Sequence, residues 1–94
     1  MTTTLKIEPG MQSLIDAATA DLMKRLSVTR DAIEVVAAQS VVWPDKGLGC
    51  PQPGMQYLQV QVDGFRIELR VDNRLYAYHG GGGRGPFLCE SSFK

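Results

Sequence analysis

Residues 55–79, MQYLQVQVDGFRIELRVDNRLYAYH, decide the fold. Apolar and polar side chains alternate through them with a period of two, the spacing of strands that bury one face. In 57–63, Leu58, Val60 and Val62 share one side while Tyr57, Gln59 and Gln61 share the other. In 65–71, Phe65, Ile67, Leu69 and Val71 point inward and Arg66, Glu68 and Arg70 outward. Asp63-Gly64 and Asp72-Asn73 are turn signals. The third ribbon, 75–79, sets Tyr76 and Tyr78 opposite Leu75, Ala77 and His79, the last three forming its inward set. The expectation is an antiparallel meander.

Upstream, Met11, Leu14, Ile15, Ala18, Leu22 and Leu26 recur at three- and four-residue steps, one face of a helix. Pro9-Gly10 punctuates its start, and Lys24 and Arg25 lie where cations meet the negative end of the helix dipole. Residues 28–33 read as a capped turn with Thr29 as N-cap. Residues 33–43, IEVVAAQSVVW, are rich in β-branched types and predict a strand with a bend or bulge at Ala37-Ala38. Downstream, 80–85 reads as a flexible glycine loop and 86–90 as a short edge strand. The fold class is therefore α+β, one N-terminal helix packed on an antiparallel sheet of four to five strands. Leu14, Leu22 and Leu26 would bury against Leu58, Val60, Ile67, Leu69 and Val71. Residues 1–94 make a single domain, with 1–9 as a disordered or loosely ordered tail.

Ten basic residues balance ten acidic ones, so the net positive field that draws proteins to nucleic acid is missing. Apolar runs stop far short of the roughly 20 residues that span a bilayer. Residues 1–8 lack the apolar block of a secretory signal, which reads as a cytoplasmic chain, or an exported one whose leader has been removed. The expected partner is a protein, with no cofactor and no metal, and the chain a monomer or weak homodimer.

Residues 43–55, WPDKGLGCPQPGM, hold three prolines and three glycines, a composition that orders a loop while bending it. Such a loop either presents a recognition surface or covers the core with Trp43 and Leu48. Cys50 and Cys89 lie 39 residues apart, and folding the meander back brings them within reach of a disulfide. A redox sensor or a metal pair is the alternative, though two cysteines and one histidine without close spacing make a weak metal site.

The runs WPDKGLGCPQPGMQYLQVQVDGFRI and YAYHGGGGRGPFLCE resemble a bacterial group of small domains with a WPD, LGCP, PGM core, an aromatic-His pair and a terminal LCE. The likeness covers about residues 20–90. Many members resemble exported or lipid-anchored proteins, and the group has no known activity. The resemblance implies a shared fold and paired cysteines, and transfers no catalytic residue. Residues 1–8 do not read as the signal segment expected of the exported members.

No catalytic constellation stands out. His79 has no nucleophile or carboxylate at a telling spacing. His79-Gly80-Gly81-Gly82 imitates an esterase oxyanion segment without the G-x-S-x-G elbow, and Trp43-Pro44-Asp45 imitates a phosphatase acid loop without an arginine in a phosphate loop after Cys50. The candidate binding residues are Trp43, Asp45, Lys46 and Leu48 on the loop, Arg66, Arg70, Tyr76 and Tyr78 as a Tyr/Arg sheet face, and His79 with Arg84 as an anion nest. The first expectation is a non-enzymatic interaction or accessory module that uses loop 44–54 or the Tyr/Arg face. The alternatives are a protease-inhibitor-like domain offering 46–50, a small-ligand or anion binder at His79 and Arg84, and a thiol switch.

Overall fold

The computed structural model describes residues 6–89. Helix α1 (Gln12–Leu26) buries Ile15, Ala18, Thr19 and Leu22, one stripe of its surface, as the three- and four-residue spacing requires. It closes where Ser27 turns left-handed (φ 56°) and the Val28 amide donates to the Met23 carbonyl at 3.1 Å. A single 3-10 turn (Arg30–Ala32) follows, with Thr29 at the cap position but making no side-chain cap bond.

Among the described residues one sheet runs in the order β1 (Lys6–Ile7), β2 (Glu34–Trp43), β3 (Val62–Val71), β4 (Arg74–Gly81), β5 (Arg84–Leu88). β2 to β5 form the antiparallel meander, and β1 adds a parallel edge at Ala37 and Ala38. The register of β2 against β3 shifts between Val35 and Ala37, so the expected bulge falls at Val36. Of the loose tail expected over 1–9, residues 1–5 lie outside the described residues. Residues 6–8 are instead tied to β2: Lys6 and Ile7 pair with Ala37 and Ala38, and the Glu8 amide donates to the Ala38 carbonyl at 2.9 Å.

Helix α1 lies across one sheet face, where Leu22, Ile67, Leu69 and Tyr78 are fully buried together with Ala18 and Ala38. Each large aliphatic there contributes roughly 2 kcal/mol by leaving water. The Tyr78 hydroxyl reaches the helix and donates to Asp21 Oδ2 at 2.7 Å. Burial pushes the Asp21 carboxyl up, but the bonds from Tyr78 and Arg25 outweigh it and hold it below its usual value. The Tyr78 phenol is driven far upward, first by burial and then by the adjacent carboxylate.

The meander stands, yet its first ribbon is not 57–63. The alternating segment 55–61 is outside every strand, Asp63-Gly64 is no turn, and β3 runs straight through it to pair with β2, Trp43 opposite Val62 and Val41 opposite Gly64. Glycine at 64 permits this, because a Cβ there would strike the Gly80 carbonyl and the Trp43 indole. Leu58 and Val60, expected under the helix, are 63% and 44% exposed.

The third ribbon is turned over as well. Two residues join β3 to β4, so Val71 faces Arg74, Leu69 faces Tyr76 and Ile67 faces Tyr78. Cross-strand partners share a face, which sends both tyrosines to the helix side and leaves Leu75 47% exposed. The expected glycine loop 80–85 is mostly strand. β4 extends to Gly81 and β5 starts at Arg84, joined by Gly82 (φ 60°) and Gly83 (φ 88°), the two left-handed positions of a type I′ hairpin.

Candidate functional site

The other sheet face carries a second, smaller core. The Trp43 indole stacks on His79 at 4.7 Å between ring centroids and donates to the Gly80 carbonyl at 2.9 Å. Leu48 and Cys50 lie buried beside them with Ala77 and Cys89. Cys50 and Cys89 meet at disulfide distance, their Cα atoms 5.8 Å apart. Loop 44–50 is thus fastened over the sheet by an indole, an aliphatic side chain and a crosslink. The covering role expected of Trp43 and Leu48 is what they perform, on the face away from the helix.

His79 is 4% exposed and shares this pocket. Its Nδ1 lies 2.9 Å from the Leu48 carbonyl, so the proton sits on Nδ1, while the buried Nε2 has no partner among the described residues. Its ring meets Trp43 and the edge of Phe87 rather than a nucleophile. Burial lowers its pKa, against the Leu48 bond and with help from the Arg66 guanidinium, itself paired with Glu68 at 2.7 Å. It is the one histidine in the chain. A base whose folded pKa lies below its unfolded value stabilises fully above the unfolded value, near pH 6.5, and loses that contribution as pH falls toward the folded pKa. Urea midpoints should therefore drop between pH 7.5 and about pH 5, and His79→Phe should flatten that slope. Equal midpoints across this range for the natural chain would refute the assignment.

The remaining expected site residues do not come together. Asp45 is a turn former, its Oδ1 accepting from the Gly47 amide at 2.8 Å. Arg70 pairs with Glu34 at 2.9 Å and Arg66 with Glu68, all on the sheet face away from the helix, while Tyr76 and Tyr78 lie under α1. The Tyr/Arg face is dissolved by the β3–β4 register. Segment 46–50 offers little to a peptidase, because Gly47, Leu48 and Cys50 are buried and Leu48 holds a left-handed φ of 55°. An inhibitory loop must enter the enzyme's cleft side chain first, and this one points its side chain into its own protein. Nor do His79 and Arg84 share a nest. The Arg84 guanidinium lies 3.9 Å over the Phe87 ring, while the buried imidazole is turned to the Leu48 carbonyl.

What the loop leaves outside is its second half. In 51–61 every residue except Tyr57 is exposed, Met55 60%, Leu58 63% and Val60 44% among them. The segment is shaped by local bonds: Met55 amide to Gln52 carbonyl at 3.2 Å, Val60 amide to Leu58 carbonyl at 3.0 Å, and Gln52 amide to the Tyr57 hydroxyl at 3.0 Å. The Lys46 amide donates to the Leu58 carbonyl at 3.1 Å, joining the two halves of the loop. Two cavities flank this arm. One, of about 460 Å³, has Leu48, Val60 and Val62 among its walls. The other, of about 360 Å³, is lined by Arg25, Lys46, Gln52, Tyr57 and Arg84, with Phe87 at its side.

Sequence reasoning places Leu58 and Val60 in the core and gives Arg25 and Tyr57 no site. Alternation in 55–61 implies a buried face, and alternation is indifferent to whether a neighbouring strand arrives. The signal in hand was charge: 51–61 contains no charged residue in a chain that is 21% charged.

Among the described residues no three His, Cys, Asp or Glu gather as a metal would need, and no helix is long and apolar enough to cross a membrane. Residues 15–89 match the model of a domain family of unknown function. No curated protein and no solved structure matches the chain.

Proposed function

The chain belongs to the DUF8738 family, a domain of unknown function, and we propose that it is a non-enzymatic recognition module whose 51–61 arm docks on a protein partner. One observation carries this reading: an exposed, uncharged stretch in which Met55, Leu58 and Val60 stand in water. Interface cores are depleted of charge, and this arm carries none while it exposes a methionine and two aliphatic side chains. Its base is held by Trp43 and the Cys50–Cys89 pair. A segment ordered before contact loses less entropy on binding. The partner surface is an apolar groove without charges at its centre, since a charge buried against Leu58 would go unpaired.

A photo-crosslinking residue placed at Leu58, with the exposed position Asp31 as control, tests the reading in cells. The expected result is one defined protein adduct at 58 and none at 31. That protein, purified, binds the domain and loses roughly tenfold or more in affinity to Leu58→Asp, which leaves the melting temperature unchanged. Adducts alike at both positions, or affinity unmoved by Leu58→Asp, would reject it.

A further inference from the structure

The cavity of about 360 Å³ beside the arm gathers three cationic side chains. Its cations come from three places: Arg25 from the last turn of α1, Lys46 from the loop, and Arg84 from the start of β5. No carboxylate lines it among the described residues. Arg25 keeps Asp21 as an ion-pair partner at 2.6 Å and serves as a wall. Arg84 is different. Its guanidinium carbon lies over the Phe87 ring, 3.9 Å from the centroid, a cation–π contact that uses the ring face and leaves N–H groups free to meet an oxyanion.

Two neutral groups complete the set. The Tyr57 oxygen accepts the Gln52 amide at 3.0 Å, so the hydroxyl proton is turned away from that bond and is available as a donor. Gln52 lines the same cavity. Lys46 and Arg84 also line the second cavity, of about 460 Å³, together with Leu48, Val60 and Val62 and with the polar Gln61 and Asp63. The two cations therefore border both the cation-lined chamber and one whose walls combine aliphatic side chains with a single carboxylate.

We propose that this is a binding site for a small phosphate monoester, its phosphate held by Lys46, Arg84 and Tyr57 and its apolar substituent lying against Val60 and Val62. Phosphate is favoured over carboxylate because the donors come from separate elements of the fold, and three terminal oxygens satisfy more of them than two. The site depends on the loop being fastened down, since Cys50 is part of its wall and the Cys50–Cys89 pair is one of the tethers that hold Lys46 in place. The site shares Tyr57 and Val60 with the arm, but the tip residues Met55 and Leu58 line neither chamber, so Leu58→Asp separates phosphate binding from partner docking.

Amide chemical shifts followed during titration with butyl phosphate, inorganic phosphate, valerate and butanol test it. Butyl phosphate should saturate below about 10 mM, with shifts centred on 46–47, 52, 57 and 84–88. Inorganic phosphate should bind more weakly, valerate more weakly than butyl phosphate, and butanol not at all. Arg84→Ala and Lys46→Ala should each weaken butyl phosphate roughly tenfold, Tyr57→Phe less, and Leu58→Asp not at all. Both cations are exposed side chains, so the melting temperature serves as the control that these variants stay folded. Shifts that never saturate, saturation unaffected by Arg84→Ala, or valerate matching butyl phosphate would each overturn the proposal.

Discussion

Replacing Cys50 and Cys89 together by alanine should lower the unfolding free energy by about 4 kcal/mol, the loop-closure value for a crosslink spanning 39 residues. The melting temperature would fall by roughly 15–30 °C, since each kcal/mol moves a domain of this size by several degrees. The magnitude follows from what the crosslink encloses. Strands β3, β4 and β5 all lie between the two cysteines, so without the bond the unfolded chain regains the freedom of nearly half its length. Alanine is the right replacement because Cys89 is wholly buried and a serine there would bury a hydroxyl. Urea unfolding should also show a larger m-value, as a chain free of its crosslink exposes more surface when unfolded. A loss below about 1 kcal/mol would mean that the two sulfurs are not bonded in solution. The same comparison bears on the phosphate site, where the double variant should bind butyl phosphate more weakly at temperatures where it is folded.

Trp43→Ala should cost roughly 3–5 kcal/mol, the range for removing a large aromatic from a packed site. Trp43 is 9% exposed, stacks on His79, bonds the Gly80 carbonyl, and lies against Gly49 and Gly64, where no side chain other than hydrogen fits beneath it. Those glycines cannot fill the space it would leave. Trp43→Phe keeps much of the ring and loses the N–H bond, so its cost should be about 1 kcal/mol beyond the lost area. The indole and the crosslink hold one layer, so the two losses should not add. A triple variant measured against its components should show a coupling of 0.5 kcal/mol or more, within the roughly 0.5–3 kcal/mol range of residues that share a cluster. Equal costs for Phe and Ala at 43 would show that only the hydrogen bond mattered, and would remove the second core from this account.

Much of the architecture was legible in local pattern. The stripe from Ile15 to Leu22 named a helix and the face it buries, because a 3.6-residue period is a property of the segment alone. Phe65, Ile67, Leu69 and Val71 named β3 and its inward side in the same way. The Cys50–Cys89 pairing was legible too, since two cysteines allow a single connectivity.

The tyrosine face could have been rejected without coordinates. Given a two-residue turn at Asp72-Asn73, Tyr76 must oppose Leu69 and Tyr78 must oppose Ile67. That arithmetic joins the aromatic pair to the aliphatic one.

The fate of 55–61 belongs to the tertiary structure. MQYLQVQ carries the same period as FRIELRV, and nothing local distinguishes a strand that finds a neighbour from a segment that does not. β3 could pair with only one strand on that edge, and β2 took the place because Trp43 at its end fits over Gly64 and Gly49. The arm was displaced into solvent, carrying Leu58 with it. The cluster of Lys46, Tyr57 and Arg84 was hidden for a related reason: its members come from segments far apart in the chain, brought to one cavity by the docked loop and the last hairpin. Periodicity reports which side of an element is apolar. Which surface covers that side is a competition among all elements, settled by shape at contacts that no single segment contains.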